Sequence, residues 1–131
     1  MPQGEPSPAG PDRISEAEHA VMEVLWSDSP QTASAVCDAV CADRGWSAAT
    51  VKTLLSRLVQ KGALTTTPDG RRYLYTPAIE RRSYVGAESK RLMQRLFGGK
   101  PASLLAHMAE EEALTEADIA EIERLLQDLR K

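Results

Sequence analysis

Between Trp46 and Leu64 the chain reads WSAATVKTLLSRLVQKGAL, and one side of this stretch carries side chains suited to reading a nucleic acid. On a helical wheel Val51, Leu54, Leu55 and Leu58 fall at i, i+3, i+4 and i+7 and make one apolar stripe. That leaves Thr50, Lys52, Thr53, Ser56, Arg57 and Gln60 on or beside the opposite face. Short hydroxyl side chains near a helix N-terminus reach base edges, and a threonine methyl also meets a thymine methyl; longer cations hold phosphates or read guanine. Thr50 and Thr53 suit the first task, Lys52 and Arg57 the second. The competing reading is a polar face that meets only water.

The distribution of charge separates the two readings. The net charge of −3 over 131 residues speaks against a polyanion partner only if charge is spread evenly. Residues 1–43 hold one base and eight acids, residues 44–100 twelve bases and three acids, and residues 101–131 three bases and eight acids. A strongly basic middle between acidic ends is the footprint of one face meeting a polyanion. A second candidate cluster, Arg71, Arg72 and Tyr73, follows Pro68-Asp69-Gly70 in the same basic segment. Two arginines there suit phosphate contact or entry into a minor groove, and Tyr73 suits a hydrogen bond to the backbone. Their bland alternative is charge that keeps a strand edge soluble.

No enzyme constellation appears: there is no Gly-rich phosphate loop, nucleophile elbow or HExxH, and no cofactor is expected. The acid-rich EEEALTEAD stretch reads as capping charge and a solvated face. His19 and His107 sit far apart without metal-ligand spacing and read as ordinary surface or packing residues, so no metal is expected either. Cys37 and Cys41, four apart on one helix, are poorly placed to bond each other and read as small core residues. A thiol-based redox sensor is the alternative for them. Trp26 and Trp46 flank helices where a small core must close and read as anchors rather than base-stacking residues.

These side chains need a scaffold, and the pattern describes one. Ser15 with Glu18 makes a capping box, after which Ala17, Ala20, Val21, Val24 and Leu25 recur at helical spacing to about Trp26. The turn SDSP ends that helix. Thr32 caps a second, with Ala35, Val36, Ala39 and Val40 inward and Gly45 closing it; Ser47 caps the third and Gly62 stops it. LTTTPDGRRYLYTP then reads as a hairpin with its tight turn at Pro68-Asp69-Gly70. Three helices and a hairpin make a winged helix-turn-helix. A helix from Ala78 to Phe97, a short helical piece in PASLLAHMAEE, and a last helix opened by Thr115 and Asp118 complete a mainly α chain. Residues 1–13, rich in Pro and Gly and without an apolar signal-peptide core, read as a disordered arm. No stretch is long and apolar enough to span a membrane, so a cytoplasmic address is expected.

At this length, with 42% hydrophobic and only 5% aromatic residues, the chain supports one small core and an appended oligomerisation segment. Residues 14–77 are expected to bind DNA and residues 78–131 to dimerise. The dimer face is assigned to Val85, Leu92, Leu96, Leu104, Leu105, Ile119, Ile122, Leu126 and Leu129, which have too little chain left to cover them.

From residue 14 to 131 the sequence resembles the BlaI/MecI/CopY-type winged-helix repressors, related to penicillinase repressors. ISEAEHAVMEVLW resembles the family's opening helix, WSAATVKTLLSRLVQKGAL its recognition helix, and GRRYLYTP its wing. RLFGGKPASLLAHM and LTEADIAEIERLL resemble its dimerisation segment. The resemblance implies a homodimeric repressor on a palindromic operator, regulating resistance or stress genes. It also implies release through a BlaR/MecR-type membrane sensor metallopeptidase that leads to cleavage in the dimerisation region. Where the family is cut at Asn-Phe, this chain has His107-Met108. The C-terminal end holds no Cys-x-Cys, so the copper-sensing branch is not matched. The alternative from another class is a winged helix whose basic face docks an acidic protein partner.

Overall fold

In the computed structural model, which describes residues 13–131, the capping box at Ser15 opens α1 (Glu16–Ser27). The Glu18 amide donates to the Ser15 hydroxyl at 3.1 Å and the Ser15 amide to the Glu18 carboxylate at 2.8 Å, so two donors at the helix start are satisfied reciprocally. Thr32 caps α2 (Ala33–Arg44), accepting from the Ala35 amide at 3.1 Å, and Gly45 ends it in the left-handed region at φ +69°. Ser47 caps α3 (Ala48–Gln60). The expected arm lies outside the described residues except for Arg13, whose carbonyl accepts a hydrogen bond from Lys61 Nζ at 2.9 Å.

The core is built from the stripe foreseen on α3, with Val51, Leu54, Leu55 and Leu58 buried against Val21, Met22 and Leu25 of α1 and Val36 and Val40 of α2. Trp26 and Trp46 are half-buried at its margin, as anchors should be. On α1 the buried set is 18, 21, 22 and 25, turned from the expected face, and on α2 Ala39 is exposed. The turn of α1 has a specific cause in Glu18. The residue is only 1% exposed, and Lys61 Nζ, just past the end of α3, donates to its carboxylate at 2.6 Å.

The hairpin pairs β1 (Leu64–Asp69) with β2 (Arg72–Pro77), from Leu64 opposite Pro77 to Asp69 opposite Arg72. The turn is therefore Gly70-Arg71, not Pro68-Asp69-Gly70 as expected, and Gly70 takes the positive φ of +64° that a two-residue hairpin requires. Pro68 falls inside β1 opposite Tyr73, next to the pair that closes the turn. That is a non-hydrogen-bonded position of the ladder, where its missing N–H breaks nothing. One residue of the α1–α2 turn joins this ribbon: Gln31 exchanges backbone hydrogen bonds of 3.2 and 2.8 Å with Tyr75.

Cys37 and Cys41 are disulfide-bonded, contrary to the sequence expectation. One turn of α2 sets them on the same face with Cα atoms 5.1 Å apart, inside the range that a disulfide spans.

The helix expected from Ala78 begins later, as α4 (Arg81–Phe97), because the Ala78 amide still bonds the Ala63 carbonyl at 2.8 Å beside the strand end. Gly98 and Gly99, both at positive φ, break it before α5 (Pro101–Glu110). Thr115 and Asp118 form the capping box of α6 (Glu116–Leu129), and those hydrogen bonds hold the Asp118 carboxyl below the usual aspartate range. The chain divides into two compact units, between Ala87 and Glu88. No residue of α4, α5 or α6 is buried, and no helix among the described residues is long and apolar enough to cross a membrane.

Burial pushes the Glu18 carboxyl up, but the Lys61 and Ser15 hydrogen bonds outweigh it and leave its pKa below the ordinary glutamate value. Its stabilising contribution is therefore complete above that ordinary value and is lost as pH falls through the lower, folded-state pKa. Lys61→Met is expected to lower stability by about 1–3 kcal/mol at neutral pH by leaving the buried carboxylate with the Ser15 amide but without its charged donor. In urea titrations the deficit should shrink as the solution is acidified through the Glu18 titration; an equal midpoint at neutral pH would contradict this account.

Candidate nucleic-acid interface

All five α3 candidates, Thr50, Lys52, Thr53, Ser56 and Arg57, are exposed, and the buried stripe behind them fixes which way they face. Arg71 occupies the hairpin turn, and Arg72 and Tyr73 begin β2, with Tyr73 55% exposed. The fold brings the two sequence clusters together. Lys52 and Ser56 of α3 and Arg71, Arg72 and Tyr73 of the wing line one groove of ≈ 410 Å³, joined there by Thr32, Ala33, Ser34 and Tyr75. Thr50, Thr53 and Arg57 are not in its lining and occupy the adjoining strip of the helix face.

Electrostatically the surface is largely uncompensated. Lys52, Arg57 and Arg71 make no ion pair among the described residues, while Arg72 Nη2 lies 3.1 Å from Asp69 Oδ2 in an exposed pair of little energetic weight. The start of α2 adds the positive end of a helix dipole to the groove. Sequence reasoning missed that contribution, since Thr32 read only as a cap and the Gln31–Tyr75 bridge that draws the α1–α2 turn to the wing leaves no local pattern.

The hydroxyls differ in what they can still offer. Thr50 Oγ1 is 3.2 Å from Ser47 Oγ, within the cap itself. Thr53 donates its hydroxyl proton to the Ala49 carbonyl at 3.1 Å, which leaves it an acceptor lone pair and a methyl for any partner. An exposed helix with short side chains toward its N-terminus, flanked by cations and a basic hairpin, has the shape and charge for a DNA groove and its phosphates.

Residues 14–128 match the sequence model of the penicillinase repressor family. The chain belongs to that family. It is 32% identical over 116 residues to the penicillinase repressor of Bacillus licheniformis, covering 88% of this chain and 91% of that one. With the methicillin resistance regulatory protein MecI of Staphylococcus aureus strain N315 it shares 27% identity over 113 residues, 86% of this chain and 92% of the other. The solution structure of the DNA-binding domain of the repressor BlaI superposes with a TM-score of 0.51 at 39% identity, over 55% of this chain and 88% of that one. This member of the penicillinase repressor family is a DNA-binding transcriptional repressor with a winged-helix fold, and not an enzyme.

Two predictions follow from the geometry of the repressor's surface. The Thr53 hydroxyl proton is committed to its own helix, so if the methyl makes the base contact Thr53→Val should retain specific DNA affinity and Thr53→Ser should lose about 0.8 kcal/mol. Fluorescence anisotropy against the repressor's own promoter checks both, and the reverse order would assign the contact to the hydroxyl. Arg71→Ala should weaken binding to all sequences and lower the slope of log K against log salt by about one; an unchanged slope removes Arg71 from the phosphate contacts.

Proposed function

We propose that the repressor binds a palindromic operator as a homodimer, with Thr50, Thr53, Lys52, Ser56 and Arg57 of α3 in the major groove and Arg71, Arg72 and Tyr73 of the wing on the backbone. The reading rests on one observation above all: among the described residues, the C-terminal helices keep large apolar side chains exposed. Leu92 and Leu96 of α4 are 40% and 55% exposed, and Ile119, Leu126 and Leu129 of α6 are 39%, 50% and 80% exposed. Val85 is 36% exposed, Leu104, Leu105 and Ile122 are half-buried, and Leu125, missed by the sequence reading, is 50% exposed. Apolar surface on this scale is covered most economically by the same surface of a second copy.

Two recognition helices about 34 Å apart then enter successive major grooves, and binding of the first half makes the second effectively intramolecular. Whatever separates the two copies releases the operator. His107 and Met108, which stand where the family is cleaved, lie in the last turns of α5, with the His107 ring 6.3 Å from that of Phe97. Cleavage there by a sensor-activated peptidase therefore requires that part of the helix to open.

The decisive experiment replaces Leu126 and Leu129 together by Glu in the full chain. Sedimentation should report a monomer, binding to a two-half-site duplex should fall by about 10²–10⁴-fold, and binding to a single half-site should hold. A double variant that remains dimeric, or a monomer with undiminished two-site affinity, refutes the proposal.

A further inference from the structure

His19, Glu23 and Trp26 recur at i, i+4 and i+7 on a face of α1 beside the buried one, and the chain entering α4 meets all three. The Trp26 indole Nε1 donates to the Ile79 carbonyl at 2.9 Å, two residues before α4 begins. In the first turn of α4, Arg81 grips Glu23 through two hydrogen bonds, Nε to Oε1 at 2.9 Å and Nη2 to Oε2 at 3.2 Å. Tyr84, one turn on, closes a cluster of three rings: its centroid is 5.6 Å from both His19 and Trp26, and those two are 5.9 Å apart. His19 Nε2 lies 3.2 Å from Glu23 Oε2.

These contacts differ in kind and are not collinear. A bidentate guanidinium–carboxylate pair fixes an orientation as well as a distance, tilted ring packing resists sliding, and the indole hydrogen bond pins the backbone that leads in. The Arg81 hydrogen bonds outweigh the effect of burial and hold the Glu23 carboxyl below the usual glutamate range, so the pair stays charged at neutral pH. A single contact would let the helix pivot about it; three on two successive turns do not. The recognition function itself uses none of these side chains.

We propose that the His19–Trp26–Tyr84 ring cluster, with the Arg81–Glu23 pair and the Trp26–Ile79 hydrogen bond, is a positioning clamp that fixes the direction in which α4 leaves the winged helix and thereby selects the spacing of operator half-sites. The proposal rests on the two-site reading above, because α4 continues without a break into Leu92 and Leu96 of the assigned dimer face. Each base pair inserted between half-sites moves the second by about 3.4 Å and turns it by about 35°. A clamped helix cannot follow that displacement, whereas a pivoting one can.

The test uses duplexes carrying the half-site that the full-length repressor selects from a random pool, once, or twice at spacings varied one base pair at a time. Wild-type repressor should prefer one spacing over its neighbours by about tenfold or more, the intramolecular advantage of a rigid connection. Tyr84→Leu and Arg81→Gln should each flatten that preference to within about threefold while binding to the single half-site and dimerisation in sedimentation are unchanged. Arg81 is more than half exposed, so its variant keeps the core intact should Tyr84→Leu fail to fold. The exchanged pair, Glu23→Arg with Arg81→Glu, should restore the preference. Variants that keep the wild-type spacing preference overturn the clamp, as do variants that lose single-site and two-site binding in equal measure, which marks a merely structural role. A wild-type chain that is monomeric or indifferent to spacing instead overturns the two-site reading, and the clamp with it.

Discussion

The winged helix depends on one buried charge. Glu18 closes the first turn of α1 and, from the same carboxylate, receives Lys61 from the far end of the recognition helix, 43 residues away in sequence. A buried carboxylate is tolerable only when such partners are present, so the position of Lys61 is coupled to the cap of α1. The leucine stripe supplies most of the favourable burial, but apolar contacts alone tolerate small rotations. The ion pair adds a polar contact at the end of α3 to that burial, and a recognition helix rolled by a fraction of a turn presents different side chains.

From that fixed helix the rest of the surface is assembled out of remote pieces. The wing arginines reach the same groove as Lys52 and Ser56, and the bridge between Gln31 and Tyr75 draws the start of α2 beside them. Three elements thus present one basic concavity, while acidic residues dominate both ends of the chain. A basic concavity of this kind raises the local concentration of a polyanion and speeds its approach.

Much of this was legible in the sequence, and the boundary of legibility has a physical meaning. The caps at Ser15, Thr32, Ser47 and Thr115, and the stripe at Val51, Leu54, Leu55 and Leu58, are consequences of interactions within four residues, so a window of sequence contains them. The ring cluster at His19, the Glu18–Lys61 pair and the Gln31 bridge join residues that no window contains. The displaced hairpin turn shows an intermediate case: Pro, Asp and Gly together announce a turn, but only the pairing of Asp69 with Arg72 decides that Gly70 and Arg71 occupy it. The cysteine pair shows a different limit, because four-residue spacing on a helix is compatible with a bond and does not by itself foretell one.

On the homodimer proposed above, the absence of any buried residue in α4, α5 and α6 would make the C-terminal half a measuring device for abundance. A segment that completes its core only with a second copy has a stability set by the concentration of its own kind, and halving the number of dilute chains leaves roughly a quarter of the pairs. Occupancy of the proposed two-site operator would then follow the square of the repressor level rather than the level itself. A modest loss of protein, by whatever route, would then become a disproportionate rise in transcription, and the gene would switch over a narrow range instead of drifting.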